Sequence, residues 1–336
     1  LNSAEEKDIE MLRWAILGTG FISNTVAEAI NQSGGSRVEM VVGRNRETLT
    51  KFQQAHNIPR QSLGYEAVFT DSNIDVIYVG TPNHVHHELT IRAAENGKAV
   101  LSEKSLTTNM KDAHLLIDSV SKNQTFFAEG LMYLAHPLYR HLAEILTDGR
   151  LGKLRAVNGY YAANIWEVVN PAGLGTLYNL GCYPVSLLQY VVQSMCGEDA
   201  FSKRKLSGFG NLNADNNVDH ATVSVCFENG VLANLQSTDD YGMAFGFSIA
   251  GDNGILRFKT NPWHAGHHNH LEWCPYGGEI EDIIIKDAYN DFYHQTKMVE
   301  SALANGEIQA PRPSPRWKDS LEIMAFLTDW EASCRA

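Results

Sequence analysis

Apolar residues bunch in short runs along the first 130 positions, and between the runs they recur every three or four residues. Residues 14–17, 37–43, 74–80, 99–102 and 124–129 read as strands, several of them apolar enough to be buried on both faces. Ile22, Val26 and Ile30 at four-residue spacing predict a helix after the first run. Helices are also predicted over 47–57, 86–96 and 111–122, with Gly97 at the usual closing position of the second of these. Strands alternating with helices over short connections predict a doubly wound parallel sheet with helices on both faces. Ligands of such sheets bind beyond the carboxyl ends of the strands. Those ends carry Gly18–Gly20, Gly43–Arg44, Thr81–Asn83, Glu103–Lys104 and Glu129–Gly130.

The pattern changes after Pro137. A helix is predicted over 138–147, ending at Asp148-Gly149. Strand-like pieces follow at 154–164, 221–227, 231–238, 246–250 and 254–259, with Glu228-Asn229-Gly230 as a hairpin signal. They predict an antiparallel sheet, interrupted by a helix over 177–192. Two further helices, 289–304 and 320–332, flank a connector marked by Pro311, Pro313 and Pro315. The fold class is therefore α/β: an N-terminal Rossmann sheet over 11–133, then an α+β domain over 134–310. A connector and helix occupy 311–336.

Composition narrows the class of partner. The 336 residues are 44% hydrophobic and 20% charged, with a net charge of -12. That balance belongs to a soluble globular protein and argues against nucleic acid or an anionic membrane as partner. No apolar run approaches the roughly 20 residues of a membrane span. Residues 1–10 are polar and acidic, unlike a signal peptide, and stand outside the fold reading. Five cysteines without a C-x-x-C pairing read as reduced thiols of a cytoplasmic protein.

Chemistry concentrates at the strand ends. Strand, Gly18-Thr19-Gly20, then helix is the opening of a dinucleotide-binding βαβ unit. The glycines let backbone N–H groups approach a pyrophosphate, and the helix N-terminus favours negative charge. Ser23 takes the place of the third glycine. Arg44 follows the second strand, where a cofactor without a 2′-phosphate usually meets a carboxylate. Glu39 lies about four residues before the strand end at Gly43, roughly 13 Å away along a strand. A guanidinium there suits a 2′-phosphate, so the expected cofactor is NADP, with NAD less favoured. Lys104, where another strand leaves the sheet, can hold a substrate hydroxyl or move its proton. Tyr183, after the glycine-bearing lead Gly173–Gly175, can act as acid or base if a cation lowers its pKa. His84, His86 and His87 form one histidine group. His264, His267, His268 and His270 form another, in a stretch read as a loop over 261–276. Neither has the ligand array of a zinc site, and no metal is expected.

Together these motifs resemble the Gfo/Idh/MocA oxidoreductases. The matching pieces are Gly18 to Ile22, Thr81-Pro82-Asn83-His84-Val85-His86, Gly97 to Lys104, Glu129-Gly130 with His136-Pro137, Gly149 to Gly152, and Gly175 to Tyr183. The resemblance implies a C-terminal open, mostly antiparallel sheet that commonly makes a homodimer. It also implies a cofactor cleft lined by Gly18, Gly20, Phe21, Ile22, Thr81, Pro82, Asn83, His86 and Glu103. Two departures stand out. Ser105 follows Lys104 where the family usually has proline. Asn179 and Tyr183 stand where one branch has Asp and His. Tyr183 resembles instead the glucose-fructose oxidoreductase and dimeric dihydrodiol dehydrogenase branch, where Lys and Tyr are the catalytic pair and the cofactor is NADP. The implied activity is hydride transfer between nicotinamide and a sugar, cyclic polyol or dihydrodiol. Lys104 and Tyr183 would be catalytic, with Asn179, Trp166 and Tyr161 toward the substrate. The alternative is an NADP-binding sensor of the same fold without turnover.

Overall fold

The computed structural model describes residues 11–336, so the polar segment 1–10 lies outside the described residues. Its first unit runs β1 (Leu12–Leu17), α1 (Phe21–Gln32), β2 (Ser36–Gly43), α2 (Arg46–Ala55), β3 (Arg60–Leu63), α3 (Glu66–Phe69) and β4 (Val76–Val79). It continues through α4 (His86–Glu95), β5 (Ala99–Glu103), α5 (Met110–Lys122) and β6 (Phe127–Gly130). The strands form one sheet in the order β3-β2-β1-β4-β5-β6, with every pairing parallel. Chain order reverses between β1 and β4, which puts the Gly18 and Thr81 turns side by side at the switch point. Trp14 to Leu17 and Val76 to Val79 are almost fully buried, as a sheet covered on both faces requires.

The second unit contains α6 (Pro137–Thr147), β7 (Leu154–Ala163), a π-helical turn (Leu177–Gly181), α7 (Cys182–Cys196), β8 (Arg204–Leu212), β9 (Val218–Phe227) and β10 (Leu232–Thr238). Then come β11 (Met243–Gly251), β12 (Gly254–Phe258), β13 (His268–Pro275) and β14 (Glu281–Lys286). Their order is β14-β13-β12-β11-β7-β10-β9-β8, antiparallel except for β7 with β10. One face is the core: Val157, Val223, Leu235, Ile249 and Leu256 are buried. The register places Tyr160, Gln236, Thr222 and Phe209 together on the other face, which is open.

The last helices return to the first unit. In α8 (Asp291–Ala304), Glu300 Oε1 accepts from Ser36 Oγ at 2.7 Å and from Ser33 Oγ, while Lys297 reaches the Ser33 carbonyl. In α9 (Trp317–Arg335), the Trp317 indole donates to the Phe127 carbonyl at 3.2 Å.

The structure differs from the periodicity reading in places. The run 124–129 becomes a strand only from Phe127, because Gln124 has φ +52° and terminates α5. Strands β3, β8, β13 and β14 were not anticipated. The stretch read as a loop over 261–276 holds β13, so His268 and His270 lie on a strand. The predicted helix over 177–192 begins as a π-helical turn and extends to Cys196.

Glu129, at the end of β6, is 2% exposed and accepts from Leu106 N–H at 2.8 Å. Burial pushes its carboxyl up to about 7, against the pull of the Ser320 hydroxyl and that backbone N–H. Between the ordinary carboxylate value and 7 the folded chain binds the extra proton, so this contribution is complete below pH 4.5. It fades as pH rises to 7, by about 3 kcal/mol. Urea unfolding of Glu129→Gln at pH 5 and 7.5 is expected to show a flatter pH dependence than the parent chain. Parallel pH curves for the two proteins would refute the assignment.

Candidate active site

The cleft forms where the strand ends of the first sheet meet the π-helical turn of the second unit. Its volume is about 370 Å³, and its walls include Gly20, Ile22, Thr81, Asn83, Lys104 and Tyr183. A larger hollow of about 750 Å³ lies over β7, β9 and β10 beside the end of α9. It has neither a phosphate-binding turn nor a lysine, so the cleft is the candidate site.

The phosphate end is set by glycine geometry. Gly18 has φ +106°, and a Cβ there would sit 2.4 Å from the Gly80 carbonyl oxygen. Any other residue is excluded on both counts. Gly20 is the N-cap of α1, with open space where its Cβ would be. The first turn of α1 carries no acidic residue and no side-chain cap, so its N–H groups are free for an anion. The hydroxyls of Ser23 and Thr81 are buried beside this turn with no hydrogen-bond partner among the described residues. Ser23 fits the third-glycine position because residue 80 is also glycine: a Cβ on Gly80 would lie 2.6 Å from Ser23 Oγ. These residues fit a dinucleotide pyrophosphate.

Arg44 is exposed and makes no hydrogen bond or ion pair among the described residues. It lines a hollow with Tyr65, Thr81 and Pro82, next to the N-terminus of α2, which Asn45 caps. Glu39 is ion-paired with Arg37 and Arg60, each at 3.2 Å, which leaves it committed elsewhere.

The chemical end joins the two units. Lys104 Nζ donates to the Asn179 carbonyl at 2.7 Å and lies 5.1 Å from the centre of the Tyr183 ring. No carboxylate stands within ion-pair distance of it among the described residues. Ser105, fully buried and joined to Lys104 by a cis peptide, donates from its hydroxyl to the Tyr178 carbonyl at 2.8 Å. Asn83 Nδ2 stands 3.5 Å from the same carbonyl. Tyr183 is 7% exposed and packs edge-on to Tyr161 at 5.3 Å, with Tyr133 and Trp263 beside it. Its hydroxyl lies 3.8 Å from Met132 Sδ. Burial, then the neighbouring Tyr161, Cys182 and Glu103, hold this phenol well above its ordinary value. A pKa lowered by a nearby cation, as the sequence reading required for Tyr183, is not what the structure gives: burial acts in the opposite direction and keeps the phenol protonated.

Several expected residues make contacts away from the cleft or only at its edge. His86 is fully buried and does not line the cleft. Its ring lies between the carbonyls of Thr81 (2.7 Å) and Ser105 (3.0 Å), and burial pushes its pKa down to about 4. It is a neutral strut between two strand ends. Phe21 is the first residue of α1, directly after the phosphate turn, and its side chain is 88% exposed. Glu103 lines the cleft but accepts from the Tyr78 hydroxyl at 2.9 Å, and burial raises its carboxyl. Tyr161 packs behind Tyr183 and lines the larger hollow. Trp166, 54% exposed, belongs to the loop after β7, but Val168, Val169 and Asn170 make the wall. Asn179 lines the cleft as expected.

Asp239 was not anticipated. It follows β10, is 3% exposed, and accepts from Asn179 Nδ2 at 2.7 Å. Burial raises its carboxyl to about 6, with the Asn179 hydrogen bond opposing. Phe292 and Met132, also in the wall, gave no chemical signal in the sequence beyond their apolar character.

Among the described residues, His136, Asp287 and His294 are the one group close enough to share a metal ion. His136 Nδ1 already accepts from Leu138 N–H at 3.1 Å, which places the ring proton on Nε2. That nitrogen then presents a proton and not a lone pair, and His294 already pairs with Asp287 at 2.9 Å.

Comparison with known proteins agrees with this geometry. The profile described as an oxidoreductase family with an NAD-binding Rossmann fold matches residues 12–131, and the GFO/IDH/MocA C-terminal domain matches 139–257. The chain is similar to trans-1,2-dihydrobenzene-1,2-diol dehydrogenase of Xenopus laevis. The two are 30% identical over 259 residues, 75% of this chain and 76% of that one. Its fold is similar to that of the 3-ketoreductase KijD10 of Actinomadura kijaniata, solved with NADP and TDP-benzene. The TM-score is 0.83 at 20% identity, over 96% of this chain and 97% of the other. A levoglucosan dehydrogenase solved with NADH and levoglucosan has a TM-score of 0.79 at 16% identity, over the same shares. The chain belongs to the GFO/IDH/MocA family of NAD(P)-dependent oxidoreductases.

Proposed function

We propose that this chain is an NADP-dependent oxidoreductase acting on a hydroxyl- or carbonyl-bearing carbon of a sugar, cyclic polyol or dihydrodiol. The observation that carries this reading is the meeting of Lys104 and Tyr183, from different units, in one cleft beside the Gly18–Gly20 turn.

Bound nicotinamide supplies the hydride donor or acceptor. The chain's own residues handle the oxygen. Tyr183, protonated because it is buried, gives its hydroxyl proton to a carbonyl oxygen as the new C–H bond forms, yielding an alcohol. Lys104 has three N–H donors and spends one on Asn179, which leaves two for the substrate oxygen and its developing negative charge. Met132 and Phe292, both buried, give the cleft an apolar wall that disfavours water there. Arg44, without a partner among the described residues, is assigned to the 2′-phosphate. NAD is less favoured because no carboxylate follows β2 and Glu39 is ion-paired. The similarity to a dihydrodiol dehydrogenase and to a levoglucosan dehydrogenase supports the substrate class.

The open face of the second sheet, with exposed Tyr160, Leu232 and Phe209, is assigned to pairing with a second copy. Five free cysteines suit a reducing cytoplasm. Among the described residues no helix is long and apolar enough to cross a membrane.

Three tests follow from these assignments. Lys104→Met and Tyr183→Phe should retain NADP binding and lose at least about tenfold in kcat, or about 1.4 kcal/mol; unchanged turnover in both removes the pair. Arg44→Ala, titrated by fluorescence, should raise the NADPH dissociation constant about tenfold and leave that of NADH within about twofold. Equal changes for both cofactors refute the 2′-phosphate assignment. Light scattering should give twice the chain mass, and Leu232→Arg should return it to one chain. A monomeric parent protein contradicts the pairing.

A further inference from the structure

Asn179 is held at two points. Lys104 fixes its backbone carbonyl and Asp239 holds its side chain, both at 2.7 Å. Asp239 and Asn179 are 3% and 8% exposed, so this is a buried bond. A carboxylate has no proton to give and must face the amide NH2. Asn179 Oδ1 is then forced onto the opposite branch. A Cβ on Gly173 would lie 3.5 Å from that oxygen and 3.8 Å from Asn83 Nδ2, and Gly173, Asn83 and Asn179 all line the cleft. The oxygen accepts no hydrogen bond among the described residues. The absence of a side chain at residue 173 leaves it accessible.

Asp239 has a second hold on the same wall. Its carbonyl accepts from the N–H groups of Ile165 and Trp166, both at 3.0 Å. Those residues begin the loop that delivers Val168, Val169 and Asn170 to the cleft. One residue thus sets the polarity of Asn179 and anchors the loop opposite the cofactor turn.

We infer that Asp239 is a positioning residue that locks Asn179 as an acceptor, so that the site selects carbonyl substrates carrying a neighbouring hydroxyl group. The inference rests on the oxidoreductase reading above. A hydroxyl donates to Asn179 Oδ1 while Lys104 and Tyr183 engage the carbonyl. A ketone lacking that hydroxyl leaves the oxygen unpaired, and an ether or second carbonyl there meets lone pair with lone pair. Without the carboxylate the amide is free to turn and present its NH2 instead.

The test compares 2-hydroxycyclohexanone with cyclohexanone as substrates of the full chain with saturating NADPH. The parent protein should favour the hydroxy ketone at least tenfold in kcat/KM. Asp239→Asn should reduce that preference at least fivefold, chiefly through a higher KM for the hydroxy ketone, with kcat within threefold. Asn179→Ala, which removes the acceptor and leaves Asp239 in place, should abolish the preference and covers the case in which Asp239→Asn fails to fold. Equal kcat/KM for the two ketones in the parent, or an unchanged preference in the folded variants, overturns the role of Asp239 while leaving the oxidoreductase reading intact. Turnover of neither ketone by NADPH-bound protein overturns the hydroxy-ketone selectivity. Absence of turnover on keto-sugars and diols as well identifies the broader reading as the one that failed.

Discussion

Two carbonyl groups hold this site together. Tyr178 and Asn179 lie in a π-helical turn, and their carbonyls accept from Ser105 and Lys104 at the end of β5. The wider winding of a π turn changes where its carbonyls point relative to an α-helix, and such turns recur at functional sites. Here it brings a buried helix of the second unit against a strand end of the first. Tyr183 follows one turn later, so the bonds that join the units also set the distance between the lysine and the phenol. Proline at position 105, the family's usual residue, has no hydroxyl to make the Tyr178 contact. Serine at this position gives the chain a bond between its units that the usual motif lacks.

The same arrangement sets the electrostatics. Lys104 enters the cleft with no carboxylate within ion-pair distance among the described residues, and its direct contacts are one carbonyl dipole and the face of an aromatic ring. Around it the acids are buried: Glu103, Glu129 and Asp239 are all raised, with burial as the first cause. A cation left available beside a phenol kept protonated is suited to receiving a carbonyl oxygen. Sites of this kind give up stability for chemistry, since an ion pair at Lys104 would satisfy the fold better and the substrate worse.

Much of this was legible in the sequence, and what was not has physical reasons. Strands buried on both faces announce themselves as apolar runs, so most of the Rossmann sheet was readable; β3 was missed because it is short and half-exposed at the sheet edge. Gly18, Gly20 and Lys104 stand at turns whose place follows from parallel topology, whereas Tyr183 was readable only from the glycine-bearing lead to its helix. The second sheet has one open face, and its polar positions masked β8, β13 and β14. Histidines read as a loop cluster proved to be spread over a strand and its approach. His86 looked like a cleft residue because of its neighbours in sequence, yet helix α4 turns it inward to bridge two strand ends. Asp239 was invisible for a different reason. In an antiparallel sheet no rule sends every strand end to one site, so a carboxylate after β10 carries no signal until the tertiary contact with Asn179 is seen.

The account stands or falls on whether this cleft moves a hydride. NADPH carrying deuterium at nicotinamide C4 should be incubated with the protein and a panel of keto-sugars and cyclic hydroxy ketones, and the products read by mass spectrometry. The account predicts one deuterium on the carbinol carbon of at least one product, with matching loss of NADPH. Tight binding of NADPH with no deuterium transferred to any member would contradict it and leave a nucleotide-binding protein without turnover.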